Sequence, residues 1–221
     1  MNSFQFDEIT KHIDEWTKLD YITPEDIPSI ELYMDQITTF MDNKLSGTKR
    51  HEDDKILTKT MINNYSKNDL LPPSDKKKYS KDHIILLIYI YYMKNFLSIS
   101  DINNLLSPMT ENHFHTDSGI SMSDIYKDLF ELEQHHKQSI KENIEDICKI
   151  ADSEFPEDSD YLKTFALVAM LSYDIYAKKQ LIERLIDFST PKEPSKADIK
   201  EAKELAKKKE KLAKEQAKHN K

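Results

Sequence analysis

Residues 60–106, TMINNYSKNDLLPPSDKKKYSKDHIILLIYIYYMKNFLSISDINNLL, decide the fold. A short helical pattern opens the stretch and stops at Pro72 and Pro73. Three lysines follow at Lys76, Lys77 and Lys78, and a long apolar run begins after Ser80. Proline lacks a backbone N–H and fixes φ, so the pair ends the first helix. A serine hydroxyl accepts from the free N–H groups of a helix's first turn, so Ser80 is the expected N-cap of a helix from Lys81 to about Phe96. Ser100 is expected to cap a short helix that ends at Ser107 and Pro108.

Immediately upstream, ELYMDQITTFMDNKL (31–45) puts Leu32, Tyr33, Ile37, Phe40 and Met41 on one helical face. Gly47 opens a polar connection, SGTKRHEDD, and a compact helix is expected from Thr58 to Lys67. From residue 28 to 107 the order is therefore helix, turn, short helix, hairpin-like connection with three lysines, long apolar helix and short helix. That order is the plan of a winged helix-turn-helix.

At about 100° per residue, Leu57, Met61 and Tyr65 gather on one side of the short helix, with Ile62 and Asn68 flanking them. Lys59, Thr60, Asn63, Ser66 and Lys67 gather on the other. Amide, hydroxyl and ammonium groups suit a DNA major groove, where Asn pairs bidentately with adenine and Lys meets guanine or phosphate. Lys76, Lys77, Lys78 and the Tyr79 hydroxyl, arriving just after this helix, are placed to flank it with phosphate contacts. Each feature alone more often describes a solvated helix face or a solvated charge run. Their succession favours double-stranded DNA.

The formal charge of −8 would argue against that partner if it were spread evenly. It is not. Residues 1–43 hold two lysines against ten carboxylates, whereas 44–94 hold eleven basic residues against six acidic ones. Residues 95–191 are again acidic, eight against eighteen, and 192–221 basic, eleven against six. A phosphate-facing surface needs only local positive charge, and an acidic remainder limits indiscriminate binding.

The quoted stretch resembles the MerR-type pattern of recognition helix, Tyr, Leu-Leu-Pro, basic-aromatic wing, long helix and a closing Ile and Leu-Leu. More closely, residues 25–110 resemble a bacterial domain-of-unknown-function family, common in Firmicutes, that shares this MerR-like unit. The resemblance implies DNA binding, transcription regulation, and dimerisation through a long helix that follows. Tyr65 matches the second aromatic of the family's Arg-Tyr-Tyr run, with Asn63 and Asn64 in the two preceding places. Asp69 stands where a glycine is customary before Leu70 and Leu71, and Lys78-Tyr79 replaces the wing's Gly-Tyr-Arg.

Beyond the stretch, an acidic helix carrying Trp16 is expected near Asp7–Lys18, and two long helices near Met122–Glu154 and Asp160–Phe188. In the first long helix Ile125, Leu129, Leu132, His136, Ile140, Ile144, Ile147 and Ala151 recur at three or four residues. This stripe suits either a homodimer through the helix near 122–154 or an antiparallel pairing with the next helix. The second long helix is rich enough in apolar residues to sit at the centre of a bundle. From Pro191 onward Lys, Ala and Glu dominate, which reads as a solvated, frayed helical tail.

Cys148, the sole cysteine, supports neither a disulfide framework nor a zinc motif and reads as a small core residue. Glu111, His113 and His115, or His135 and His136, are not arranged as a metal site on the sequence, and no cofactor is implied. With two glycines and no nucleophile elbow or zinc-protease motif, no catalytic residues are expected and the chain reads as a non-enzyme. The apolar run Ile84–Met93 is about half the length that spans a bilayer, and the N-terminus lacks a secretion signal, so a cytoplasmic location is expected.

The sequence thus describes an all-α protein: a MerR-like winged helix-turn-helix followed by a helical bundle with long helices and a charged helical tail. Its expected divisions are an N-terminal helix (1–24), the helix-turn-helix domain (25–110), a dimerisation or effector region (111–190) and the tail (191–221). The functional expectation is a DNA-binding transcription regulator. The alternative is a protein-interaction adaptor that keeps the fold, since a fold does not fix a function.

Overall fold

The computed structural model describes residues 6–16, 21–116, 119–155 and 160–190. Seven α-helices and one two-stranded sheet are found among them. The helices are α1 (Phe6–Trp16), α2 (Met34–Leu45), α3 (Lys59–Lys67), α4 (Lys81–Met93), α5 (Ile99–His113), α6 (Met122–Glu154) and α7 (Asp160–Ser189). Strands β1 (Leu32–Tyr33) and β2 (Lys78–Tyr79) pair antiparallel, Leu32 opposite Tyr79 and Tyr33 opposite Lys78. The chain divides into two compact units at residues 186 and 187. The described part of the second is the end of α7 with Thr190. The charged tail expected over 191–221 lies outside the described residues.

Helix starts follow side-chain chemistry. Thr58 Oγ1 accepts from the Met61 N–H at 3.2 Å, and the Tyr33 N–H donates to Gln36 Oε1 at 2.8 Å. Ser121 and Asp124 cap α6 reciprocally: each backbone N–H donates to the other's side chain, at 3.0 and 3.1 Å. At α4 the expected cap Ser80 is in place, and its N–H donates to His83 Nδ1 at 3.0 Å, so a histidine fills the reciprocal role usually taken by Glu or Gln.

Helix α5 departs from expectation at both ends. Its cap is Ser98, not Ser100, because Asp101 three residues on completes the reciprocal pair with it. The helix also runs through Pro108 to His113. Proline there forfeits its own bond to the carbonyl four residues back, and its ring crowds that carbonyl.

The main core is built on α4, where every residue from His83 to Ile90 is buried. Around it pack Ile37, Met41 and Leu45 of α2, Ile62 and Tyr65 of α3, Leu70 and Leu71 after α3, and Ile102 and Leu106 of α5. The core reaches past this segment to Ile22 at one end and to Met122 and Tyr126 of α6 at the other. The Tyr126 hydroxyl donates to the Ile22 carbonyl at 2.6 Å, tying the two ends together. A second cluster joins Ile9 and Ile13 of α1, Ile147, Cys148 and Ala151 of α6, and Leu167 of α7. Cys148 is buried there, as its composition context suggested.

The long helices are less enclosed than expected. The C-terminal end of the α6 stripe, Ile147 and Ala151, is covered within the chain, whereas Leu129 and Leu132 are exposed. Helix α7 is not a bundle centre: within it only Leu167 and Ile186 are buried among the described side chains, because its packing covers one side of the helix. Among the described residues no helix is long and apolar enough to cross a membrane.

Candidate nucleic-acid interface

Helix α3 sits on the core by Ile62 and Tyr65, and burial pushes the Tyr65 phenol above its ordinary range. Lys59, Thr60, Asn63, Ser66 and Lys67 are all exposed. On a helix turning about 100° per residue they share one arc beside the buried pair, with Ser66 and Lys59 nearest Ile62 and Asn63, Lys67 and Thr60 farther round. Each of the five side chains named from the sequence reaches solvent. Within the described residues Thr60, Asn63, Ser66 and Lys67 spend no side-chain hydrogen bond or ion pair, and remain available to a ligand.

The orientation of α3 is fixed from both ends. In the loop before it, Asp54 Oδ2 accepts from the N–H groups of Arg50 (3.1 Å) and His51 (2.9 Å), and the His51 bond is the chief reason its carboxyl is held below the usual range. Lys94, at the end of α4, donates from Nζ to the Ile56 carbonyl at 3.0 Å and lies over the Tyr91 ring. Desolvation lowers the pKa of that ammonium.

After α3, Asp69 takes a left-handed φ of 57°. The Leu70 N–H bonds the Tyr65 carbonyl at 3.0 Å and the Asp69 N–H bonds the Ser66 carbonyl at 3.4 Å. This is the Schellman arrangement, in which glycine normally supplies the left-handed residue. Asp69 thus fills the glycine position structurally, and the buried pair Leu70 and Tyr65 supplies the accompanying apolar contact.

The lysine-bearing connection is a tight turn. The Lys78 N–H donates to the Asp75 carbonyl at 2.7 Å, and both central residues have positive φ, 47° at Lys76 and 66° at Lys77. Two positive φ values in a two-residue loop mark the type I′ turn, which favours Asn-Gly. Lysine in that backbone region costs about 1–2 kcal/mol per residue. The turn thus presents two exposed ammonium groups where a more comfortable pair of residues exists.

One expectation for the wing is corrected. The strand leaving the turn pairs with β1, ahead of α2, through Leu32 and Tyr33. Tyr79, expected to offer its hydroxyl at the surface, is instead a core side chain set edge-on to His83. The strand alternation that keeps Lys78 outward turns the next residue inward. Lys78 is half-buried, with its ammonium 5.7 Å from the centre of the Tyr33 ring.

A chain of contacts links the two basic elements. Lys59 Nζ, at the start of α3, is 3.4 Å from Asp35 Oδ1 in the first turn of α2. Tyr33, two residues before Asp35, pairs with Lys78. The N-terminus of α2 is thus flanked by the first lysine of α3 and by the base of the lysine turn.

Electrostatic pairing thins out the basic excess selectively. Lys44, Lys49 and Lys59 are paired with Asp26, Asp42 and Asp35, all from the acidic segment 1–43. Lys67, Lys76 and Lys77 have no carboxylate partner within the described residues. The positive charge left unneutralised in this region therefore includes the end of α3 and the tip of the turn. Sequence counting missed this, because it sees how many charges a segment has and not which ones find each other.

Residues 22–129 match the family model described as a domain of unknown function, DUF1836. The DUF1836 region begins at Ile22 and runs three residues past Tyr126, the two residues joined by the hydrogen bond at the ends of the main core. It contains α2 to α5, the start of α6, and all the candidate interface residues. The expectation of a domain-of-unknown-function family over 25–110 agrees with this match. No curated protein and no solved structure matches the chain.

The histidines near the DUF1836 core serve local structure. His113 Nδ1 lies 2.8 Å from the Ile120 carbonyl, and His115 Nε2 lies 2.7 Å from Ser80 Oγ, which itself is 2.9 Å from His83 Nδ1. Among the described residues no three His, Cys, Asp or Glu side chains are gathered to hold a metal ion.

Proposed function

We propose that the DUF1836 region is a MerR-like winged helix-turn-helix that binds double-stranded DNA and regulates transcription. In this reading α3 enters the major groove, with Lys59, Thr60, Asn63, Ser66 and Lys67 toward bases and flanking phosphates. Lys76, Lys77 and Lys78 meet phosphates beside the groove. Tyr79 has no part in the contact, since it belongs to the core. At about 1.5 Å per residue, the nine residues of α3 are about as long as the major groove is wide.

The observation that carries the proposal is the lysine turn. Strained, unpaired cations at Lys76 and Lys77 are joined through β2, β1 and the start of α2 to an exposed polar helix face of which Lys59 alone is paired, with Asp35. Backbone strain retained at an exposed, charged position points toward use, since stability alone would favour its removal.

Selection of genomic fragments with the purified protein tests the reading. Recovery of fragments sharing a common motif is the expected result. Recovery of fragments with no shared motif, or of none, would reject a sequence-specific regulator.

A further inference from the structure

Helix α7 carries an apolar seam that is left uncovered among the described residues. Tyr161, Phe165, Val168, Ser172 and Ile175 follow one another at spacings of four, three, four and three residues, the a/d repeat of a coiled coil. All five are exposed: Tyr161 70%, Phe165 60%, Val168 55% and Ile175 64%, with Ser172 also at the surface. Tyr176, beside the seam, is 60% exposed. No charged residue occupies a seam position until Lys179. Beyond it the same repeat reaches Ile182 and Ile186, which pack on the main core.

We propose that this seam is a homodimer interface, covered in solution by the same helix of a second copy of the chain. The first reason is area. Aromatic side chains bury about 150–250 Å² each, so the exposed parts of Tyr161, Phe165 and Tyr176 give on the order of 400 Å² per copy. With Val168 and Ile175, two facing copies remove on the order of 1,200 Å², the lower edge of specific interfaces. A patch of several hundred square ångströms is also larger than a monomer usually leaves open.

The second reason is self-complementarity of size. When two copies run antiparallel about Val168, Phe165 faces Ser172, Tyr161 faces Ile175, and Val168 faces itself. The bulky Phe165 meets the small Ser172, the size match that interdigitated packing needs. A parallel pairing would set Phe165 on Phe165 and leave a gap at Ser172. A two-fold interface uses one patch twice, and this patch fits its own copy when reversed.

The site differs from the dimer helix expected from sequence. The α6 stripe is partly used within the chain, at Ile147 and Ala151, whereas the α7 seam is open over four turns. The inference stands independently of DNA binding.

The test uses the full-length protein. Sedimentation equilibrium is expected to show a dimer, and Phe165→Glu is expected to weaken it by about 30-fold or more, as for loss of a central aromatic anchor. Because Phe165 is exposed, circular dichroism of this variant should match the parent. Cys148 is buried and is the only cysteine, so an introduced thiol reports cleanly. Val168→Cys is expected to give a disulfide-linked dimer on mild oxidation, and Tyr173→Cys, exposed but off the seam, is not. A monomer at about 100 μM, far above the Kd expected of a specific interface, would overturn the proposal. So would a dimer indifferent to Phe165→Glu, or equal cross-linking from both cysteines.

Discussion

Lys59 Nζ lies 3.4 Å from Asp35 Oδ1, joining the first residue of α3 to the first turn of α2 across an exposed surface. Both side chains are well solvated, so the pair contributes little to stability. Its significance is for binding, because a carboxylate beside the proposed contact face repels phosphate and occupies a lysine that a phosphate would use. Asp35 also sits favourably at a helix N-terminus. Asp35→Asn is expected to tighten DNA binding by about 3- to 10-fold at low salt, with the gain shrinking at high salt. Titration of a labelled duplex by fluorescence anisotropy checks this; an unchanged or weaker affinity would place Asp35 away from the phosphates.

The strained turn gives a prediction of opposite signs. Replacing Lys76-Lys77 with Asn-Gly relieves the positive-φ cost and is expected to stabilise the fold by about 1–2 kcal/mol. For a chain of this size that is a rise in Tm of several degrees. The same double substitution removes two charges that the proposal places on phosphates and should weaken DNA binding about 10-fold or more near physiological salt. Asp69→Gly, at the Schellman position, should give a similar stabilisation with little loss of binding. Thermal denaturation and anisotropy on the same preparations separate the two cases.

Asn63 is the residue of α3 best suited to base recognition, since its amide pairs bidentately with adenine. Asn63→Ala is expected to change the motif recovered by fragment selection, at a cost of about 1–3 kcal/mol on the preferred site. Substitution of Lys67 should instead weaken all sequences alike. The same motif from wild type and Asn63→Ala would remove Asn63 from the bases.

Buried His83 makes stability depend on pH. Its Nδ1 accepts from the Ser80 N–H. Desolvation, assisted by His115, lowers its pKa below the ordinary 6.5, against the opposing pull of the Pro73 and Pro72 carbonyls and Asp82. The folded state therefore binds its proton less readily than the unfolded one. Stability from this group is full above about pH 6.5 and falls as pH drops from there toward the folded pKa. His83→Gln keeps the reciprocal cap and removes the titration. Urea midpoints between about pH 7.5 and 5.5 should fall for the parent and much less for the variant.

The legible and illegible parts of the chain divide along a physical line. Periodicity located α2, α3, α4 and the two long helices, because burial of one face leaves a trace in residue order, as at Ile62 and Tyr65. The exposed arc of α3 was legible for the same reason. Tyr79 was misjudged because its direction depends on the pairing of β2 with β1, forty-odd residues away, which no local pattern carries. The α5 cap was misplaced because two serines, Ser98 and Ser100, were both available, and the position of Asp101 decides between them. Helix α7 looks like a core helix from its apolar content, whereas in the structure most of that content is exposed among the described residues.

The most direct measurement is the salt dependence of affinity for a duplex recovered by selection, compared between the parent and Lys76→Ala/Lys77→Ala/Lys78→Ala. If the turn rests on phosphates, log K against log salt concentration should become shallower by about two to three units, with affinity lowered on every sequence. Equal slopes for the two proteins would contradict a phosphate-bound lysine turn and, with it, the placing of α3 in the groove.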